Sequence, residues 1–439
     1  MDEQEIFHWI ESQINSKLSD LQQDILKGSW EGENYQFIAQ YYNYNVQYVK
    51  DVGYRLWHSL SESCGERITK KNFPVKIESI INASVNTINN YQDWADAPDT
   101  SIFLGRNKDL ATLNQWILQD CCRLVGIIGM GGMGKTQLSV KLGKEIEDSF
   151  EYVIWRSLRN PLPIEDFLTD LIKFLTNNQK TEIPDCLEAQ ISQLLYLLKQ
   201  HRCLLILDNV ETILKASGYA GQYCQEYQGY SQFFRQIGLV DHQSCLVLTS
   251  REKPHDLEQM TGINHPVRLL ELNGLNYSEG KKIFQAIGNF SGSDREWQTL
   301  IQFYNGNPLI LELVAHHIRA VFEGDITQFL VQGKYMFDDL RQVLDRHLER
   351  LSSAEKEVIY CLATNWQPVS LAKLKVKLRS LDTKKRITDI LQSLTRRLVI
   401  KTSIMGYALQ PMLIEYINYE KTPRLIATST KVVSLRTNC

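Results

Sequence analysis

The chain has 439 residues, a net charge of −3, 43% hydrophobic and 23% charged residues. That is an ordinary globular composition, long enough for about two to four domains. It excludes a chain that binds nucleic acid along its whole length and an acidic tail protein. No apolar run approaches the roughly 18–20 residues that cross a bilayer. The acidic start MDEQEIFHWI lacks the basic-then-apolar layout of a secretory signal. The nine cysteines form no CxxC pair, and Cys121–Cys122 are adjacent. The expectation is reduced, mostly buried thiols in a cytoplasmic protein with no membrane partner.

Residues 1–80 read as a helical domain. Leu21, Ile25 and Leu26 line one helix face, Gly28 and Gly32 bracket a break, and Phe37, Ile38 and Tyr41 mark a short second helix. Val46, Val49, Val52, Leu56 and Leu60 then recur at three-to-four spacing. Two short helices, a turn and a longer helix make a helix-turn-helix plan. The stretch that follows is rich in Asn, Asp, Thr and Ala, and residues 81–100 are expected to be a linker.

From 101 to 272 short apolar runs alternate with amphipathic stretches. Strands are expected at 123–128, 152–155, 203–207, 245–249 and 267–271, with helices at 135–148, 164–176 and 187–200. Alternation at this spacing predicts an α/β domain, a parallel sheet covered on both faces. Residues 273–335 read as a helical subdomain. Residues 336–420 begin with Leu340, Val343, Leu344, His347, Leu348 and Leu351 on a helix and end in a small hairpin around Met405–Gly406, the winged-helix plan. Residues 421–439 lack periodicity and are expected to be a disordered tail. No internal repeat of about 20–50 residues is present.

Residues 129–136, GMGGMGKT, meet the pattern GxxxxGK[ST] between a predicted strand and a predicted helix. Gly129, Gly131, Gly132 and Gly134 let the backbone bend around phosphate oxygens, and the helix N-terminus adds partial positive charge. Lys135 is expected to reach the β- and γ-phosphates, and the Thr136 hydroxyl to ligate Mg²⁺. In CLLILDNVE, Asp208 ends a buried strand at the edge where α/β sheets bind ligands, a second candidate for the metal. Glu211 is the acid nearest to a water-activating position, because Asn209 cannot take a proton; a helix-start glutamate is an equal reading of it. In CLVLTSRE, Arg251 leaves a buried strand and is expected to approach the γ-phosphate.

FLGR at 103–106, the glycine loop, LLILDNVE, LVLTSRE and GNPL at 306–309 occur in this order. The set resembles the NB-ARC family of signal-transduction P-loop NTPases. The resemblance implicates Gly105 and Arg106 in closing over the adenine and Pro308 in touching base and sugar. It also implies a winged helix that packs back on the nucleotide through a Met-His-Asp-like motif. Three positions depart from the pattern: Asn107 and Asn209 replace acids, and Leu409–Gln410–Pro411 stands where Met-His-Asp is expected. Gln410 is able to hydrogen-bond a phosphate but carries no charge. A holder of ADP or ATP is therefore expected rather than a fast hydrolase, with slow ATPase activity left open.

The 1–80 segment resembles the helix-turn-helix domain found ahead of such NTPases in bacterial multidomain proteins. Residues 1–100 hold eight Lys and Arg against fifteen Asp and Glu. That favours self-association or a protein effector over DNA, which needs phosphate-neutralising charge. The alternative is a nucleotide-gated DNA-binding regulator. Relatives of this plan continue into a repeat array. Two readings of the short C-terminal part stay open, a truncated form and a compact protein with a separate sensor.

Overall fold

The computed structural model describes residues 7, 10–11, 17–64, 67–77, 91–177, 182–262 and 264–419. The expected tail 421–439 and residues 81–90 of the expected linker lie outside them. The chain divides into two compact units, Met1–Asn89 and Asn90–Cys439.

In the first unit, helix α1 (Asp20–Trp30) starts on a reciprocal cap in which Ser19 accepts from the Gln22 amide and Gln22 returns to the Ser19 amide. Helix α2 (Tyr35–Tyr41) is capped by Asn34, and α3 spans Val46–Cys64. Ile25, Leu26, Ile38, Val49, Leu56 and Leu60 form the core between them. The break expected at Gly28 is absent. Gly28 lies inside α1, where a Cβ would come 2.5 Å from Ile38 Cγ1, so it serves close helix approach. The turn comes at Gly32, with φ +81°.

The second unit is built on a six-stranded sheet: β1 (Tyr91–Asp93), β2 (Leu124–Ile128), β3 (Tyr152–Ser157), β4 (Cys203–Asp208), β5 (Cys245–Ser250) and β6 (Val267–Glu271). The order is β1-β3-β4-β5-β2-β6 and every pairing is parallel. Strands buried on both faces read as unbroken apolar runs, as LVGII and CLLIL do. Alternate side chains enter opposite cores. Val125, Ile127, Leu204, Ile206 and Val247 meet α4 (Asn107–Asn114) and α5 (Lys135–Ile146) on one face. Leu124, Leu205, Leu207, Leu246 and Leu248 meet α6 (Ile164–Leu175), α7 (Leu187–Gln200) and α8 (Gln228–Leu239) on the other.

Strand β1 falls inside the expected linker, which is a correction to that expectation. Its polar composition conceals two anchors. Tyr91 stacks on Tyr152 with ring centroids 5.1 Å apart, and Asp93 pairs with Arg156 at 2.7 Å.

Helix α9 (His255–Met260) connects β5 to β6, and after β6 come four helices of a helical region, α10 (Tyr277–Ile287), α11 (Asp294–Phe303), α12 (Pro308–Phe322) and α13 (Ile326–Gln332). Capping boxes at Asn276 and Ser293 start the first two. Then α14 (Asp338–Leu348), α15 (Ser353–Leu362), α16 (Leu371–Lys377), α17 (Leu381–Lys385) and α18 (Ile387–Arg396) lead into the antiparallel hairpin β7 (Ile400–Ser403) and β8 (Gly406–Leu409). Helices closing on a hairpin are the winged-helix plan read from the sequence. The thiols are less buried than expected. Among the described residues Cys122, Cys203 and Cys245 are buried, Cys224 and Cys361 are partly buried, and Cys121 and Cys186 are exposed.

Candidate functional site

Strands β2, β5 and β4 lie side by side, so the residues that leave their C-terminal ends converge. The loop 129–136 leaves β2. Gly132 (φ +81°) and Gly134 (φ +84°) hold backbone that L side chains rarely adopt, which turns the chain from strand into α5. Lys135 is buried and folds back, its Nζ donating to the carbonyls of Gly129 (2.7 Å) and Met130 (3.0 Å). Burial pulls its ammonium down to about 8, with the charge of Arg251 adding to the fall and Glu211 opposing it.

Asp208 at the end of β4 is buried. It accepts from Thr136 Oγ1 (2.8 Å), Thr249 Oγ1 (2.5 Å) and the Asn209 amide (2.7 Å). Burial raises its carboxyl despite the two hydroxyl donors. Hard oxygen donors around a poorly solvated carboxylate suit Mg²⁺, which keeps most of its own water. Among the described residues no group of three or more His, Cys, Asp or Glu side chains is placed to hold a metal by itself.

Glu211 is buried and paired with Arg251, Oε1 to Nε at 2.9 Å, and it accepts from the Arg251 amide at 3.2 Å. Gly131, Gly132, Gly134, Lys135, Thr136, Glu211, Arg251 and Pro308 all line one cavity of about 540 Å³. Its apolar wall comes from Leu275, Ile283, Ile287 and Leu309. A more open hollow of about 700 Å³ lies beside α8. The hydroxyls of Tyr223 and Ser231 there already donate to Asp256, and no glycine loop faces it. The chemistry selects the smaller cavity.

Five sequence candidates sit beside the cavity rather than on it, among them Asp208, which lies behind the Thr136 and Thr249 hydroxyls. Gly129 is buried under Lys135. Gly105 and Arg106 stand one step back, and Ile102 and Leu104 occupy the wall instead. Arg106 is buried and clamps the loop from behind, donating to Met133 O (2.9 Å) and Asn273 O (2.5 Å), while its amide donates to Glu279 (3.0 Å). Gln410 is buried and reaches the loop only through the Met130 sulfur, at 3.1 Å.

Sequence reasoning missed three groups. Asn307 both caps α12 and donates from its side chain to Gly131 O at 2.9 Å; the signal was present, since Asn before Pro opens a helix. His347, read only as part of a helix face, packs against Gly131 and Arg251. Glu252, buried next to Arg251, pairs with Arg350 (2.9 Å) and Arg397 (2.7 Å) from the 336–420 region. No local pattern marks the last two, because their partners lie about a hundred residues away or more.

Sheet order, glycine loop and strand-end acid together define a P-loop NTPase domain. Residues 106–216 match the NB-ARC domain, and residues 1–80 match the N-terminal helix-turn-helix of vWA-MoxR associated proteins. The chain thus carries a nucleotide-binding NB-ARC domain behind a helix-turn-helix domain. An uncharacterised WD repeat-containing protein of Nostoc is 41% identical over 90% of this chain and 32% of its own length. A disease resistance-like protein of Arabidopsis thaliana is 23% identical over 64% of this chain and 22% of its own. The chain therefore spans about a third or less of these relatives. Among solved structures, a Walker-type ATPase of Pyrococcus abyssi aligns with TM-score 0.47 and 12% identity over 74% of this chain and 99% of that one, too low to carry an argument. Among the described residues no helix is long and apolar enough to cross a membrane.

Proposed function

We propose that the chain is a nucleotide-dependent signalling switch that holds ADP or ATP with Mg²⁺ in the cavity above 129–136. One observation carries the reading: a single glycine loop is gripped from two sides by regions that follow it in the chain. Asn307 and the Leu309 amide bond the carbonyls of Gly131 and Gly132, at 2.9 and 3.2 Å, from α12. Gln410 and His347 touch Met130 and Gly131 from the 336–420 region. A ligand that reshapes the loop must therefore act on both.

In this reading Lys135 and the loop amides hold the phosphates, and Thr136 and Asp208 hold the metal, which supplies charge neutralisation. Ile102, Leu104, Leu275 and Pro308 face the base and sugar, and Arg106 fixes the loop from outside. Arg251 meets the terminal phosphate once it leaves Glu211. Glu211 is engaged by Arg251, and Asn209 directs its amide at Asp208. Neither is poised to take a proton from water, which supports slow hydrolysis or simple holding.

The winged helix is a poor DNA reader in this arrangement, because α18 is covered. Ser393 accepts from the Ala220 amide at 2.8 Å, Arg396 pairs with Glu258 at 2.8 Å, and Arg397 points inward to Glu252. In the first unit, exposed Phe37, Tyr41, Tyr48 and Tyr54 on an acidic segment support self-association or a protein effector. The test is to extract nucleotide from the purified protein and measure ADP and ATP affinity for wild type and Lys135→Ala. Bound nucleotide in the wild type and none in the variant is expected. Full affinity in the variant would refute the site.

A further inference from the structure

The face of Gly131 is crowded from a direction that the proposed phosphate contacts do not explain. A Cβ on Gly131 would lie 3.1 Å from His347 Cε1, 3.2 Å from its Nδ1 and 3.4 Å from Arg251 Cζ. Helix α14, more than two hundred residues after the loop, therefore delivers an imidazole to the same spot as the cation that leaves β5. Arg251 lines the cavity on one side. On its other side it shares a narrow space with Glu252, Arg346, His347, Arg350 and Arg397. His347 is thus one side chain removed from where a terminal phosphate would meet Arg251 and Lys135.

We propose that His347 reads the terminal phosphate, taking up a proton from solvent when a nucleoside triphosphate occupies the site and staying neutral over a diphosphate. The idea rests on a nucleotide occupying the cavity.

The electrostatics favour it. Burial pushes the imidazole down to about 3, and Arg251 and Lys135 push the same way. The groups that face it are Arg251 and Glu252 after β5, Lys135 at the start of α5, Arg346 and Arg350 around the end of α14, and Arg397 after α18. Glu211 is already held by Arg251. Two of these cations are the ones a γ-phosphate would engage. A phosphate between them cancels the repulsion and offers oxygen acceptors to an imidazolium. At about 4 Å and protein-like screening, one opposite charge alters a protonation equilibrium by roughly a thousandfold. A diphosphate ends short of Arg251 and leaves the imidazole as it is.

The test is titration calorimetry with ADP and with the non-hydrolysable triphosphate AMP-PNP, each with Mg²⁺, at pH 7.5 and 6.0. Wild type, His347→Gln and His347→Asn are compared. In wild type the preference for AMP-PNP over ADP is expected to rise by about twofold on going to pH 6.0. In both variants that rise disappears, while ADP affinity stays within about twofold of wild type. An equal pH dependence in wild type and variants overturns the proposal. Should both variants fail to fold, proton uptake by wild type alone decides. Measured in two buffers of different ionisation enthalpy and corrected for the ligand's own terminal phosphate, it exceeds the ADP value, and equal uptake overturns the proposal. Absence of ADP binding to wild type would instead sink the nucleotide reading itself.

Discussion

Replacing Glu252 by Ala removes the centre of a buried charge cluster. Its carboxylate, 2% exposed, lies 2.9 Å from Arg350 and 2.7 Å from Arg397. Arg397 is itself 4% exposed and turns to Glu355 at 3.2 Å. Burial raises the Glu252 carboxyl even against both arginines, so the cost of dehydrating this acid exceeds what its partners return. The cluster therefore does not stabilise the chain strongly as a whole. Breaking it is another matter, because the truncated variant leaves Arg397 with one acid and Arg350 with carbonyl oxygens only, Glu211 O at 2.8 Å and Leu214 O at 3.2 Å. Loss of one member of a buried pair costs about 3–5 kcal/mol. At roughly 2–4 °C per kcal/mol for a large domain, the melting transition of the 90–439 unit should fall by about 10 °C. Circular dichroism melts of wild type, Glu252→Ala and the double variant Glu252→Leu, Arg350→Met would measure it. The double variant removes an acid and a base together and leaves Arg397 paired with buried Glu355, so it should recover part of the loss. A single-variant fall below about 2 °C, or a double variant worse than the single, would refute the reasoning.

Lys135→Ala should lower nucleotide affinity by about a hundredfold or more while the fold persists, read by calorimetry alongside circular dichroism. Asn307→Ala removes the cap of α12 and the donor to Gly131 O, and should cost about 1–2 kcal/mol in urea unfolding; an unchanged midpoint would deny both contacts. His347 gives a pH signature in the ligand-free protein. Its folded pKa lies below the unfolded value, so the unfolded chain binds the extra proton and stability falls as pH drops below about 6.5. Between pH 7 and 5.5 the loss from this group should be about 1 kcal/mol. His347→Gln should flatten that part of the urea-derived stability profile, and an unaltered slope would show that the imidazole titrates normally.

Much of the second unit is legible in the sequence because buried parallel strands are short and unbroken. RLVGII, CLLIL and CLVLT announce themselves; the first runs straight into the glycine loop, and the other two are followed at once by the polar residues Asp208 and Ser250. The glycine loop is local in the same sense. Strand β1 is not, because three residues in an Asn- and Asp-rich stretch are held by a ring stack and an ion pair with partners about sixty residues on. Cavity walls are harder still. Gly105 and Arg106 attract notice as a motif, yet Arg106 turns away to hold Met133 O, and the wall falls to Ile102 and Leu104. Periodicity gives His347 a place on a helix but not its neighbour. What it packs against depends on how α14 meets a loop far upstream.

Ser250 pairs with Ile128, and the two residues after it face different ways. Arg251 joins the cavity wall and Glu252 joins the arginines of the winged-helix region. Consecutive Cα atoms are about 3.8 Å apart, so the whole distance between phosphate side and hairpin side is one peptide bond. No chain of intermediaries is needed for the two to feel each other. Register becomes critical instead: one residue inserted after Ser250 would carry Arg251 to the place among the arginines and Glu252 past it, and one residue removed would bring the acid to the cavity.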